Sequence, residues 1–121
     1  MERYNLANAH AVLSYREGWG LPLVEAMACG VVSMALDWCS GSEICGDGKG
    51  VLVKSLDYHT VSNWGNALDY HPDVHDFAEK LAWLADHPDE RKRIAESGRA
   101  WAQSLTWDGA FVRFHALLED L

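Results

Sequence analysis

Basic residues are in short supply. Ten Lys and Arg face eighteen Asp and Glu, for a formal net charge of −8. A broad surface for nucleic acid or anionic lipid needs the opposite balance, so neither is expected as a partner. A local anion site built from backbone amides escapes that argument. Cysteine is scarce and unpaired. Cys29, Cys39 and Cys45 form no CxxC and sit in no Cys/His cluster, so no metal site is expected from them. They read as free thiols in a reducing, cytoplasmic setting. No window approaches 18 consecutive apolar residues, which excludes a transmembrane segment of the helical kind. The opening MERYNLANAHAVLSY has no basic stretch ahead of a long apolar run, so no signal peptide is expected. Internal repeats and low-complexity tracts are lacking too.

What remains is 121 residues, 49% of them apolar, enough for one domain with a real core. HAVLSY (10–15) reads as a short buried parallel strand. A glycine-bearing loop, REGWG, leads into a predicted helix, LPLVEAMAC. Pro22 suits its first position and Gly30 its C-terminal cap. VVSMAL (31–36) is a second strand, so the first 36 residues form a β-loop-α-β crossover with parallel strands. DWCSGSEICGDGKG is a loop with one helical turn around 42–45, and VLVK (51–54) is a third strand. Residues 55–72 show no clear period and read as an irregular excursion.

The last third, 73–121, is helical. Val74, Phe77, Leu81 and Leu84 repeat at helical spacing. Pro88 opens a second helix, on which Ile94, Trp101 and Leu105 share a face. Thr106 caps a third bearing Phe111, Phe114, Leu117 and Leu121. Trp83 and Trp101 are expected to pack the helical core. The fold class is therefore α/β: a partial Rossmann-like domain, with a short parallel sheet, flanking helices and a helical C-terminal third.

Chemistry concentrates in REGWGLPLVEAMACG. Glu17 and Glu25 stand with seven residues between them, across a loop that enters a helix. Open α/β sheets bind ligands at such strand-to-helix loops. The first turn of a helix offers unpaired N–H groups and a partial positive charge, to which phosphate is suited. Gly18 and Gly20 let backbone approach an anion. Pro22 has no N–H, so the donors are expected to be the amides of Trp19, Gly20, Leu21 and Leu23. Glu25, expected on the first helical turn, can only accept hydrogen bonds when ionised, and sugar hydroxyls are the obvious donors to it and to Glu17. A plainer reading stays open on these residues alone: a solvated Glu17, turn glycines, and a Glu25 that complements the helix dipole.

The same residues resemble the E-x7-E signature of retaining glycosyltransferases of the GT-B fold, family 4. Ser14, Glu17, Gly18, Gly20, Leu21, Glu25, Ala26, Met27, Ala28, Gly30 and Val31 match, with Trp19 in place of the usual Phe. SEICGDGKGVLVK is similar to a second family segment at Glu43, Asp47, Gly48, Gly50, Leu52 and Val53, if one residue is dropped. Pro88, Arg91, Gly98 and Trp107 fit the family's closing helices. Residues from Leu56 to about Pro72 look like an insertion.

The resemblance implies the donor-binding domain of such an enzyme, with a nucleotide-diphosphate sugar as ligand. It implies Glu25 on the ribose, Glu17 as the catalytic-site carboxylate toward the donor sugar, and the 19–23 amides on the diphosphate. Glu43 is a candidate for the edge of the donor pocket. No cofactor and no metal are implied. The family's N-terminal domain and the first half of the donor domain, with its phosphate-binding Arg/Lys pair, have no counterpart here. Arg16, Lys49 and Lys54 are not placed to replace that pair, and Val32 stands where the family has Pro. The chain is therefore expected to be inactive alone and to self-associate or pair with a partner chain. The alternative is a non-catalytic remnant that serves as a binding or oligomerisation module.

Other candidates read more simply. His71 and His75 are separated by Pro72, which prevents one helix from presenting both to a metal. Cys29 is a small core residue. Asp47 and Gly48 form a turn. Tyr58, His59, Asn63 and Trp64 could touch a sugar, but a solvated or partner-covering loop is the simpler account.

Overall fold

In a computed structural model, residues 2–61, 65 and 67–119 are described. A three-stranded parallel sheet runs in the order β1 (Ala9–Val12), β2 (Val32–Leu36), β3 (Val51–Val53). Ala9 pairs with Val32, and Met34 with Val51. Helix α1 (Leu21–Ala28) carries the chain from β1 to β2, and the six-residue α2 (Ser40–Cys45) carries it from β2 to β3. After the sheet come strands β4 (Ser55–Val61) and β5 (Ala67–Pro72). Three helices follow: α3 (Val74–Asp86), α4 (Pro88–Ser104) and α5 (Trp107–Glu119). The expected α/β class, with its short parallel sheet and helical last third, is what the chain adopts.

Every residue of β2 is buried, because helices cover the sheet on both sides. The period of two along the strand divides its side chains between two cores. Val32 and Met34 join Val53, Leu84 and Ile94 under α3 and α4. Ala35 joins Leu23, Met27, Ile44 and Cys45 under α1 and α2, with Ala102 and Trp101 from the end of α4. Side chains as fully buried as Met34 or Leu84 each contribute about 1.5–3 kcal/mol. Helix α4 can lie this close because residue 98 is glycine. A Cβ there would stand 2.4 Å from the Lys49 carbonyl oxygen.

Helix α1 ends as its sequence predicts. Gly30 takes φ +79, its N–H bonds to the Met27 carbonyl, and the Val31 N–H reaches back to Ala26. Those two bonds are the Schellman closure that a left-handed glycine allows. Pro22 sits at the second helical position rather than the first, since the helix starts at Leu21 behind Gly20 in the left-handed region (φ +95). Asp47 and Gly48, both at positive φ, form the expected turn.

Two expectations need correction. Residues 55–72 are not irregular: β4 and β5 form an antiparallel hairpin, with Tyr58 paired to Tyr70 and His59 to Asp69. Most of β4 is exposed, and the alternation it carries, Leu56 and Tyr58 against Asp57 and His59, is short and marks no buried face. Trp83 does not pack the core. It is 41% exposed and stacks on His87, whereas Trp101 does pack against the core, with the Lys49 ammonium over its ring. The apolar residues of α5 find little cover either. Phe111, Phe114 and Leu117 are 60–66% exposed. Thr106 caps α5 as expected, its Oγ1 accepting from the Gly109 N–H at 3.0 Å. Leu121, Asn63 and Trp64 lie outside the described residues.

Candidate functional site

The loop from β1 to α1 lies at the C-terminal edge of the sheet, where the crevice of an open α/β fold forms. It delivers Ser14, Tyr15, Arg16, Glu17, Gly18 and Trp19 to that edge, and Gly20 turns the chain into α1. Among the described residues, the amides of Trp19, Gly20 and Leu21 have no hydrogen-bond acceptor. The Leu23 amide differs from expectation. It donates to the Gly20 carbonyl at 3.0 Å, closing the helix's own first turn, and the Leu23 side chain is buried in the core. A cradle at this helix therefore has three free donors rather than four.

Gly18 and Gly20 are glycines for different reasons. Gly20 needs its left-handed φ, and a Cβ there would meet Ile44 at 3.1 Å. A Cβ on Gly18 would meet nothing within 4 Å. The fold alone does not demand glycine at 18, whereas close approach of a ligand to the backbone would.

Glu17 is half-buried and lines a narrow crevice with Val12, Ser14, Tyr15, Trp38, Cys39 and Ser40. The crevice has about 10 Å³ of free space, room for about one water. Ser40 Oγ is buried there with no partner among the described residues. Sequence reasoning missed Ser40, since a serine at the start of a short helix resembles any cap.

Glu25 is exposed and lies on the second turn of α1, not the first, and the first turn contains no acid. A dipole-complementing role for it loses its footing, because that effect fades beyond the first turn. Its Oε2 accepts a hydrogen bond from Tyr4 Oη at 3.2 Å. The Tyr4 hydroxyl is held above its ordinary pKa by burial and by that bond. Glu43 is exposed on α2 and is not among the residues lining the Glu17 crevice. The side chains of Trp19 and Leu21 face elsewhere, lining an apolar groove with Leu105, Trp107 and Ala110 at the α4–α5 turn.

The hairpin also reaches this edge, which the sequence did not disclose. Tyr15 stacks on His71 with centroids 5.3 Å apart, and Trp38 stacks on Tyr70 at 4.0 Å. The Arg16 guanidinium pairs with the Asp69 carboxylate. His71 and His75, separated by Pro72, fall on β5 and α3 respectively. Among the described residues no group of three His, Cys, Asp or Glu is arranged to hold a metal, and no helix is long and apolar enough to cross a membrane.

Comparison with known proteins fits this geometry. The profile of the family described as "Glycosyl transferases group 1" matches residues 1–101. The chain is 34% identical over 106 residues to a D-inositol 3-phosphate glycosyltransferase of Gordonia bronchialis, covering 87% of this chain and 20% of that protein. It is also 34% identical over 120 residues to the Corynebacterium jeikeium protein of the same name, covering 98% and 25%. It thus spans about a fifth to a quarter of these curated relatives. Among solved structures, sucrose-phosphate synthase from Thermosynechococcus elongatus superposes with a TM-score of 0.74 at 23% identity, over 98% of this chain and 26% of that one. The C-terminal domain of a glycosyl transferase group 1 family protein from Francisella tularensis superposes with a TM-score of 0.64 at 25% identity, over 84% and 45%.

Proposed function

The chain belongs to the group 1 glycosyl transferases, and from that premise we propose that it is the donor-binding part of such an enzyme. Its ligand is a nucleotide-diphosphate sugar, and the reaction it serves is glycosyl transfer with retention. The observation that carries the reading is the loop at the sheet's C-terminal edge. Among the described residues, three amides without acceptors and a glycine with open space beside it stand at one helix N-terminus, with Glu17 in the loop before it and Glu25 one turn along. On this reading the amides of Trp19, Gly20 and Leu21 receive the diphosphate. Glu25 accepts from the ribose hydroxyls, and Glu17 lies toward the donor sugar as the catalytic-site carboxylate. Glu43 borders the donor pocket only if the intact site extends over α2. No metal or cofactor takes part, and the three free thiols suit a cytoplasmic protein.

The chain offers a floor rather than an enclosed site. A ligand pocket ordinarily holds several hundred Å³, and the crevice at Glu17 has about 10 Å³. Retaining transfer depends on stabilising the leaving diphosphate, and no arginine–lysine pair flanks the amide cradle in the expected sequence context. The 121-residue chain therefore binds nucleotide weakly and is inactive alone. Titration of ¹⁵N-labelled chain with UDP, GDP and their sugars tests this. Amide shifts at residues 17–21 are expected, weakened in Glu25→Ala. No shift at millimolar ligand in the wild type sinks the reading.

A second reading rests on α5. Trp107, Phe111, Phe114 and Leu118 recur along it, each more than half exposed. Such a surface suits self-association or a partner chain. The chain would then serve as an assembly module, and light scattering with dye binding decides it: a clean monomer that binds no hydrophobic dye removes that reading.

A further inference from the structure

We propose that the β4–β5 hairpin forms one wall of the sugar subsite and selects the glycosyl group of the donor through Asp69 and the ring of Tyr15. The proposal rests on the donor-binding reading above, and adds to it the part of the chain that tells one sugar from another.

A two-stranded ribbon is marginally stable alone, so its position is set by what it docks against. Here it docks on the ligand loop itself. Tyr15 and Arg16, the two residues before Glu17, are gripped by His71 and Asp69. Trp38, just beyond β2, is gripped by Tyr70. Between hairpin and loop lies an open cavity of about 580 Å³, lined by Ser14, Tyr15, Arg16, Val61 and Asp69. Ser14 and Tyr15 also line the Glu17 crevice, so the two spaces share a wall. The volume that the crevice lacks is present on the hairpin side.

The lining suits a pyranose. Aromatic side chains offer flat apolar surface to its C–H faces, and a few fixed polar groups set its orientation. The Asp69 side chain is only 14% exposed. Its Oδ1 is engaged by Arg16, while Oδ2 has His59 Nε2 at 3.8 Å, beyond hydrogen-bond range. An ionised carboxylate oxygen so held can accept from a sugar hydroxyl. A nucleoside diphosphate without the sugar has nothing to place there.

The test compares UDP with UDP-glucose and GDP with GDP-mannose, by NMR titration of the whole chain. The variants are Asp69→Ala and a chain in which residues 56–71 are replaced by a short glycine-rich turn. The wild type is expected to favour a nucleotide sugar over the bare nucleotide. Both variants are expected to keep nucleotide affinity within about twofold and to lose about fivefold of the sugar preference, the size of one hydrogen bond. If the shortened chain does not fold, Asp69→Asn, which keeps the side-chain volume, takes its place. An unchanged sugar preference in the variants, or none in the wild type, overturns the inference and leaves the donor reading standing. Loss of nucleotide and sugar binding together in a folded variant also overturns it, since the hairpin would then merely hold the loop. No nucleotide binding by the wild type overturns both.

Discussion

Tyr4 Oη donates to Glu25 Oε2 at 3.2 Å, so the carboxylate proposed for ribose already accepts a hydroxyl from this chain's own first turn. The Tyr4 ring is braced edge-on against His10, at 5.4 Å between centroids, which holds the hydroxyl in place. Burial also lowers the pKa of His10, against the pull of Glu25. A ribose hydroxyl that reaches Oε2 of Glu25 meets a phenol already donating to that oxygen.

Removing the competitor should help. Tyr4→Phe keeps the ring and its packing on His10 and deletes one exchangeable hydrogen bond, about 1 kcal/mol. Affinity for UDP or GDP is expected to rise about fivefold or less, with stability lowered by about 1 kcal/mol at most. A fall in affinity would show that Tyr4 assists the ligand instead of standing in its place. The measurement is a titration of wild type and variant side by side.

Gly18 separates fold from ligand. Its φ does not lie in the left-handed region, and an added Cβ touches nothing within 4 Å. Gly18→Ala is therefore expected to leave stability within about 0.5 kcal/mol of wild type, as for an unconstrained surface change. The methyl group would still stand between backbone and phosphate, and nucleotide affinity should drop about tenfold, or about 1.4 kcal/mol. Equal affinity in the two proteins would mean that the ligand does not approach the backbone at 18.

The ends of α1 could be read from sequence, because glycine at 30 and the Pro22 signal act locally and need no tertiary partner. Strand β2 was legible for another reason: burial on both faces forces a continuous apolar run. Glu25 was placed one turn early, since a one-residue shift of the helix start to Leu21 moves it out of the first turn. The hairpin does carry a period of two, with Tyr58, Leu68 and Tyr70 on one face and Asp57, His59, Asp69 and His71 on the other, but in runs too short to stand out. Its docking through Asp69 onto Arg16 spans 53 residues and leaves no periodic trace. The Tyr4–Glu25 bond is hidden in the same way. Gly98 matched the family's closing helices in sequence, and only the structure shows the Lys49 carbonyl where a Cβ would go.

The three thiols should react in a fixed order. Burial pushes Cys45 up to about 12, although Lys49 pulls the other way, and its Sγ–H points at the Ser33 carbonyl, 3.6 Å away. Cys39 is exposed, and Cys29 is partly covered. The thiolate is the reactive form, so at pH 8 Cys45 presents about one in ten thousand of its molecules for attack. A disulfide-exchange reagent is expected to label Cys39 first, Cys29 more slowly and Cys45 only in denaturant. Mass spectrometry of timed samples reads the order. Rapid labelling of Cys45 in folded protein would contradict the packing of α2 against β2.

Asp76 ties α3 to the end of the sheet. Its Oδ2 accepts from the Lys54 N–H at 2.9 Å and from Lys80 Nζ at 2.6 Å, and the same ammonium donates to the Leu52 carbonyl at 2.7 Å. Burial alone would raise this carboxyl's pKa. The Lys80 hydrogen bond, the Lys54 amide and the two ammonium charges outweigh it and hold the pKa below the ordinary aspartate value. A folded-state pKa below the unfolded one contributes stability above the unfolded value, and that contribution is lost as pH falls through the folded one. Stability against urea should therefore be flat in this contribution from pH 7 to about 5, then fall below about pH 4. Asp76→Asn keeps an oxygen for the Lys54 amide but loses the charge. It is expected to cost about 2 kcal/mol at pH 7, in the range of a hydrogen bond to a charged group. Its deficit should shrink below about pH 4, where the unfolded wild-type carboxylate takes up a proton that the folded one resists. A deficit that stays constant with pH would place the effect in packing rather than in charge.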